Sequence, residues 1–175
     1  MATRQGDRSV LLVVDVQAGV VASAHRRKEV VANVAAMVEK ARRAEVAVVW
    51  VQHSDNDLVA GTPEWKFAPE LSPQSHDHRI DKHFNSSFEE TTLESLLGTL
   101  GASKIVLAGA ATNWCIRATA YAALERGYDV SLIADAHTTD SSHAPEIIDD
   151  LNNSLKWLSY PGRKNEAVAA SEYTF

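Results

Sequence analysis

"VLAGAATNWCIRATAYAAL" spans residues 106–124 and contains Cys115, the one cysteine of the chain. Its first half is an apolar, partly β-branched run that stops at Gly109. Its second half is alanine-rich, with apolar residues at helical spacing up to Gly127. Apolar runs followed at once by helical periods mark a strand feeding a helix. The stretch therefore reads as strand 103–109 and helix 113–127, closed by Gly127, with the thiol at the helix start.

The same alternation extends outward in both directions. "SVLLVV" (9–14) is a strand ended by Asp15, and residues 26–45 carry Val30, Val34, Met37, Val38 and Ala41 at helical spacing. "VAVVWVQ" (46–52) is a second strand. Residues 53–77 hold Pro63, Pro69 and Pro73 and read as a long excursion, which Trp65 and Phe67 mark as ordered. "HRIDKH" (78–83) is a short strand, and 91–101 a helix with a capping box of Thr91 and Glu94. "DVSLIAD" (129–135) is a strand, 144–159 a helix opened by Pro145, and 166–171 a last strand. Apolar strands alternating with helices define a three-layer α/β/α fold: a mostly parallel open sheet of about six strands, with helices on both faces. Nothing in 1–175 reads as a linker or repeat, so a single domain is expected.

The 175 residues are 45% apolar and 23% charged, with a net charge of −6. An acidic chain without a basic block is a poor nucleic-acid binder. No run nears 18 apolar residues, so no membrane partner is expected. A single cysteine excludes an intrachain disulfide, and a reduced, cytoplasmic setting is the expectation.

In an open parallel sheet, ligands bind beyond the carboxyl ends of the strands. By position those ends carry Asp15, His53, Lys82, Gly109 with Cys115, and Asp135. An acid, a cation and a thiol thus meet on one rim. A helix N-terminus and a nearby ammonium favour a thiolate. Asp15 would take the thiol proton and return it to a leaving amine, with Lys82 offsetting the carboxylate. First-turn N–H groups would hold an oxyanion. Each residue also has a plainer reading. A lone cysteine commonly fills core, a strand-end aspartate caps a turn, a lysine is solvated, and His53 is a hydrogen-bonded wall. The histidines of "SHDHRIDKH" (75–83), His76, His78 and His83, lack the fixed spacing of a zinc site.

Three blocks, "LLVVDVQAGVV" (11–21), "DKHFNSSFEETTLESLL" (81–97) and "KIVLAGAATNWCIRATAYAALERGYDVSLIADA" (104–136), together resemble the isochorismatase-like cysteine hydrolases. "GTPEWKFAPEL" (61–71) resembles a further segment of that superfamily, which includes nicotinamidases, N-carbamoylsarcosine amidohydrolases and isochorismatases. The resemblance implies catalytic roles for Asp15, Lys82 and Cys115, with Cys115 in the Thr-x-x-Cys motif "TNWC". It implies a cis peptide at Ala110–Ala111, and oxyanion donors at the N–H groups of Ala111 and Cys115. Gln17, His53, Trp65, Phe88 and Trp114 are expected around the substrate, and Phe67 and Phe84 beside them. "VQHSDND" lacks the Asp-x-His of metal-binding nicotinamidases, so no metal and no cofactor are expected. Homo-oligomers are common in the superfamily, with Trp157 a candidate contact or simply a residue packing its own helix. The expected activity is hydrolysis of a small amide or carbamoyl C–N bond through a cysteine thioester. The alternatives are an isochorismatase-type vinyl-ether hydrolase and a non-catalytic ligand-binding oligomer.

Overall fold

A computed structural model describes residues 4–175. Six strands form one parallel sheet: β1 (Arg8–Val14), β2 (Ala47–His53), β3 (His78–Lys82), β4 (Ala102–Ala110), β5 (Asp129–Thr138) and β6 (Asn165–Val168). Four helices accompany them: α1 (Arg27–Arg43), α2 (Leu93–Thr99), α3 (Arg117–Glu125) and α4 (Ala144–Trp157). The sheet order is β3-β2-β1-β4-β5-β6. The chain winds one way from β1 to β3, then jumps to β4 and winds the other way. Right-handed crossovers place the helices of opposite winding on opposite faces. Accordingly, Leu11 and Val13 of β1 bury against α1 residues Val34, Met37 and Val38. Val10, Leu12 and Val14 bury against α2, α3 and α4 through Leu97, Ala120, Leu124 and Leu151. The strands are apolar on both sides because both faces are covered, which is why they read as runs rather than as alternation.

The reversal of winding falls between β1 and β4, and it opens a crevice at their carboxyl ends. Gly109 makes the close approach possible. Its φ is +132°, and a Cβ there would lie 2.0 Å from the carbonyl oxygen of Val14. No other residue fits at that contact.

The excursion between β2 and β3 is ordered, as expected, although it contains neither helix nor strand of its own. Part of it runs antiparallel to the residues after β1. Ala18 N–H donates to Lys66 O at 2.8 Å, and Ala68 N–H donates to Val16 O at 2.9 Å.

Two local readings are corrected. The capping box at α2 does not form. Thr91 Oγ1 accepts the Leu93 N–H at 3.2 Å, but Glu94 turns away to an ion pair with Arg126 (3.2 Å), the Tyr128 hydroxyl (3.3 Å) and Arg4. Two cations and a phenol outcompete one backbone N–H for a carboxylate. The helix expected over 113–127 begins instead as a π-turn, Thr112–Ile116, before α3. Ile116 N–H reaches back five residues to Ala111 O at 3.1 Å, a wider turn than an α-helix makes. Gly127, at φ +97°, does end the helix as its C′ residue.

Candidate active site

Asp15 follows β1 directly and sits at φ +52°, an uncommon backbone conformation for a non-glycine residue. Lys82 is the last residue of β3, the edge strand, and Cys115 lies in the π-turn after β4. The three converge in the core, with exposures of 1% for Asp15, 1% for Lys82 and 8% for Cys115. Lys82 Nζ lies 2.7 Å from Asp15 Oδ2 and donates to Cys115 Sγ at 3.3 Å. It also donates to the carbonyl of Phe84 at 3.0 Å. The Asp15 carboxylate thus has the Lys82 ammonium as an ion-pair partner and the Cys115 thiol as a hydrogen-bonding neighbour.

Burial sets the protonation of this group. It raises the Asp15 carboxyl above the ordinary range, against the opposing pull of Lys82. Burial, reinforced by the Asp15 charge, pushes the Cys115 thiol up to about 12, with Lys82 pulling the other way. The thiolate expected at a helix start is thus corrected. At rest the sulfur keeps its proton, because desolvation and a carboxylate outweigh the ammonium and the turn.

His53 ends β2 and supports Lys82 from behind. Its Nδ1 lies 3.2 Å from Lys82 Nζ and its Nε2 lies 3.0 Å from Asp55 Oδ2. An ammonium only donates, so Nδ1 accepts, and the proton sits on Nε2 toward Asp55. Asp55 is held in turn by the N–H groups of Asp57 (2.8 Å) and Leu58 (2.7 Å). Sequence reading placed His53 at the site but had no means of giving it this task, since Asp55 lies in the excursion.

Two expected pocket residues do other work. Gln17 is fully buried, and both ends of its amide go to main chain. Its Nε2 donates to His53 O at 3.0 Å and Trp65 O at 2.8 Å, and its Oε1 accepts from His53 N at 2.9 Å. It is a brace between β1, β2 and the excursion. Phe88 stacks on Tyr128 at 6.0 Å and lies under the Arg126 guanidinium at 4.8 Å. Those residues precede β5, at the amino ends of the strands, so Phe88 faces away from the rim. Trp114 and Phe84, next to Cys115 and Lys82 in sequence, are 59% and 45% exposed. Trp65 is half-buried, and its carbonyl also takes the Gln52 Nε2 at 3.1 Å. Asn85 was missed by sequence reading: its Oδ1 lies 3.9 Å from Cys115 Sγ. The Ala110–Ala111 peptide bond is cis.

The histidines of 75–83 do not gather. His76 is exposed, His78 opens β3, and His83 beyond its end meets Ser54 O at 2.8 Å. Among the described residues no three His, Cys, Asp or Glu side chains converge as a metal site would need. A surface cavity of about 470 Å³ is lined by Arg42, Gln74 and His76 among others, at the amino ends of β2 and β3. It lies at the opposite end of the sheet from the Asp15–Lys82–Cys115 group. Among the described residues no helix is long and apolar enough to cross a membrane.

Residues 9–149 match the isochorismatase domain, and the chain belongs to that family of hydrolases. It is 35% identical over 150 residues to a streptothricin hydrolase of Streptomyces noursei, covering 79% of this chain and 53% of that protein. The chain thus spans about half the length of that relative. It is 32% identical over 177 residues to a probable inactive nicotinamidase of Arabidopsis thaliana, covering 85% and 90% of the two chains. It is 30% identical over 214 residues to the ureidoacrylate amidohydrolase RutB of Methylorubrum extorquens, covering 95% and 85%.

Proposed function

We propose that the protein is a metal-independent cysteine hydrolase of a small amide or carbamoyl compound. The observation that carries the reading is the buried convergence of Asp15, Lys82 and Cys115 on one ammonium, at 2.7 and 3.3 Å. The amidohydrolase among the relatives supports the bond type.

The protonation state decides how the thiol is used. Burial and the Asp15 charge favour the protonated thiol at neutral pH, so the sulfur needs a base to act as a nucleophile. Asp15, raised by burial, is the better base for it. The sulfur attacks the carbonyl carbon as its proton passes to Asp15. The C=O π pair moves to oxygen, where the N–H groups of Ala111 and Cys115 receive the oxyanion. Collapse breaks the C–N bond, and Asp15 returns its proton to the departing nitrogen. The resulting thioester is hydrolysed by water, which gives a proton to Asp15 as it attacks. Asp15 then restores the thiol as the C–S bond breaks. Lys82 keeps its charge throughout and holds the carboxylate in place.

Trp114 and Phe84, close to Cys115 and Lys82 in sequence, are exposed aromatic side chains that a second copy of the chain would cover. The vinyl-ether and non-catalytic readings use the same pocket but leave the thiol idle.

The test is a release assay with small primary amides, N-carbamoyl compounds, nicotinamide and isochorismate, following ammonia and pyruvate. Wild type and Cys115→Ala run side by side. Ammonia release that vanishes in the variant, with the fold retained, is expected. Pyruvate release from isochorismate, or ammonia release that survives Cys115→Ala, would overturn the assignment.

A further inference from the structure

β5 does not pair with β4 in one continuous register. Leu132 lies opposite Leu107, yet the next aligned pairs are Gly109 with His137 and Ala110 with Thr138. Two steps along β4 are matched by five along β5, so three extra residues bulge from β5. Bulges of this kind occur beside active sites and re-aim a side chain. Here the bulge delivers His137 to the far side of the turn that carries Cys115.

His137 is 1% exposed and lies in a directed chain of hydrogen bonds. On α4, Asn152 Nδ2 donates to Ala134 O at 3.0 Å, which fixes the amide with Oδ1 toward His137 Nε2 at 2.9 Å. Nε2 must then carry the proton, leaving Nδ1 as an acceptor for the Thr112 hydroxyl at 2.9 Å. Burial holds the imidazole pKa down to about 4, so the ring is neutral and this direction persists at neutral pH. Thr112 is fully buried and is the first residue of the π-turn. The next residue is gripped as well: Thr139 Oγ1 donates to Asn113 Oδ1 at 2.8 Å. Among the described residues none of these groups hydrogen-bonds to Asp15, Lys82 or Cys115, and apolar side chains would fill the same interface without desolvating a ring, an amide and a hydroxyl.

We infer that His137 and Asn152 are positioning residues: through the Thr112 hydroxyl they fix the π-turn in the orientation that aims the Ala111 and Cys115 N–H groups at an oxyanion. This rests on the acyl-transfer reading above. It makes the oxyanion site, rather than the nucleophile, dependent on the chain from α4.

The experiment separates the two. Cys115 alkylation by iodoacetamide needs the nucleophile but forms no oxyanion. Acylation by p-nitrophenyl acetate needs both, and release of p-nitrophenolate reports it, with Cys115→Ala giving the background. Thr112→Val is nearly isosteric and removes only the donor, while His137→Leu removes the acceptor. Each is expected to slow acylation by about tenfold or more, toward the ~10²-fold that a 1 Å misplacement can cost, with alkylation within about twofold of wild type. The double variant should be no slower than the slower single, and Thr112→Ser should recover most of the acylation rate. Thr112→Val acylating at the wild-type rate would overturn the inference, as would equal slowing of both reactions or additive losses. Circular dichroism checks the fold of each variant, and Thr112→Val decides the matter if His137→Leu fails to fold. A wild type that is alkylated but never acylated would overturn the acyl-transfer reading and this inference with it. A wild type acylated at a rate that Thr112→Val leaves untouched would overturn the inference alone.

Discussion

Lys82→Met keeps most of the length and volume of the side chain and deletes its charge. Asp15 would then stand at 1% exposure without the ammonium that now lies 2.7 Å away. Removing one partner of a buried ion pair costs about 3–5 kcal/mol, because the other charge is left uncompensated. For a chain of this size, about 2–4 °C per kcal/mol converts that into a melting temperature lower by roughly 6–20 °C near neutral pH. The loss has a sign in pH. Burial already raises the folded pKa of Asp15 above its unfolded value, and in the variant the largest opposing pull, that of Lys82, is gone. The folded state then binds more protons than the unfolded one, so stability falls as pH rises, by up to about 1.4 kcal/mol per pH unit. The wild type shares the direction, but Lys82 keeps its slope smaller. Urea unfolding of both proteins near pH 4.5, near 6 and near 7.5 gives the gap between them, in which shared titrations cancel. The gap should widen steadily with pH. A constant gap, a gap that widens toward acid, or a deficit below about 1 kcal/mol near pH 7.5 would refute a buried, paired Asp15 carboxylate.

Asp15→Asn removes the carboxylate that helps hold the Cys115 thiol up to about 12 and leaves Lys82 in place. Titration of Cys115 by the ultraviolet absorbance of its thiolate should therefore move to lower pH while hydrolysis stops; a titration moved to higher pH would show that Asp15 lowers the thiol pKa rather than raising it. Gly109→Ala sets a Cβ 2.0 Å from the Val14 carbonyl oxygen at a φ of +132°, so either no folded protein or a loss above about 3 kcal/mol is expected. A wild-type melting temperature in that variant would mean that β1 and β4 stand further apart. Gln17→Leu removes three hydrogen bonds to the main chain of His53 and Trp65 and should cost about 1–3 kcal/mol. Limited proteolysis should then cut first within residues 54–77, and cleavage elsewhere would count against the brace.

The convergence of Asp15, Lys82 and Cys115 on one rim was legible because it follows from strand ends, and strand ends follow from where apolar β-branched runs stop. Asp15, Lys82 and the turn before Cys115 each sit at such a stop. The protonation state was not legible. A sequence shows that a thiol starts a helix, but not that burial beside a carboxylate overrides the turn. The π-turn was hidden because its five residues share the apolar spacing of α3 closely enough to read as one helix. Phe88 was misplaced for a related reason. Nearness to Lys82 in sequence says nothing of which end of the sheet a side chain reaches once the chain has turned toward α2. The partnership of His137 with Thr112 lay beyond any pattern, because three bulged residues of β5 reset the register between them.

The excursion between β2 and β3 bears on how such a protein changes over generations. Gln17 and Gln52 pin it at Trp65, and Asp55 anchors it next to His53, but the residues between these points carry none of the Asp15–Lys82–Cys115 set. Lengthening a loop is thermodynamically mild, since doubling its length adds only about 0.6 kcal/mol of closure entropy. Mutation can therefore rewrite the stretch between those anchors while Asp15, Lys82 and Cys115 stay where the sheet holds them. A lineage built this way can vary its loop and inherit that arrangement unchanged.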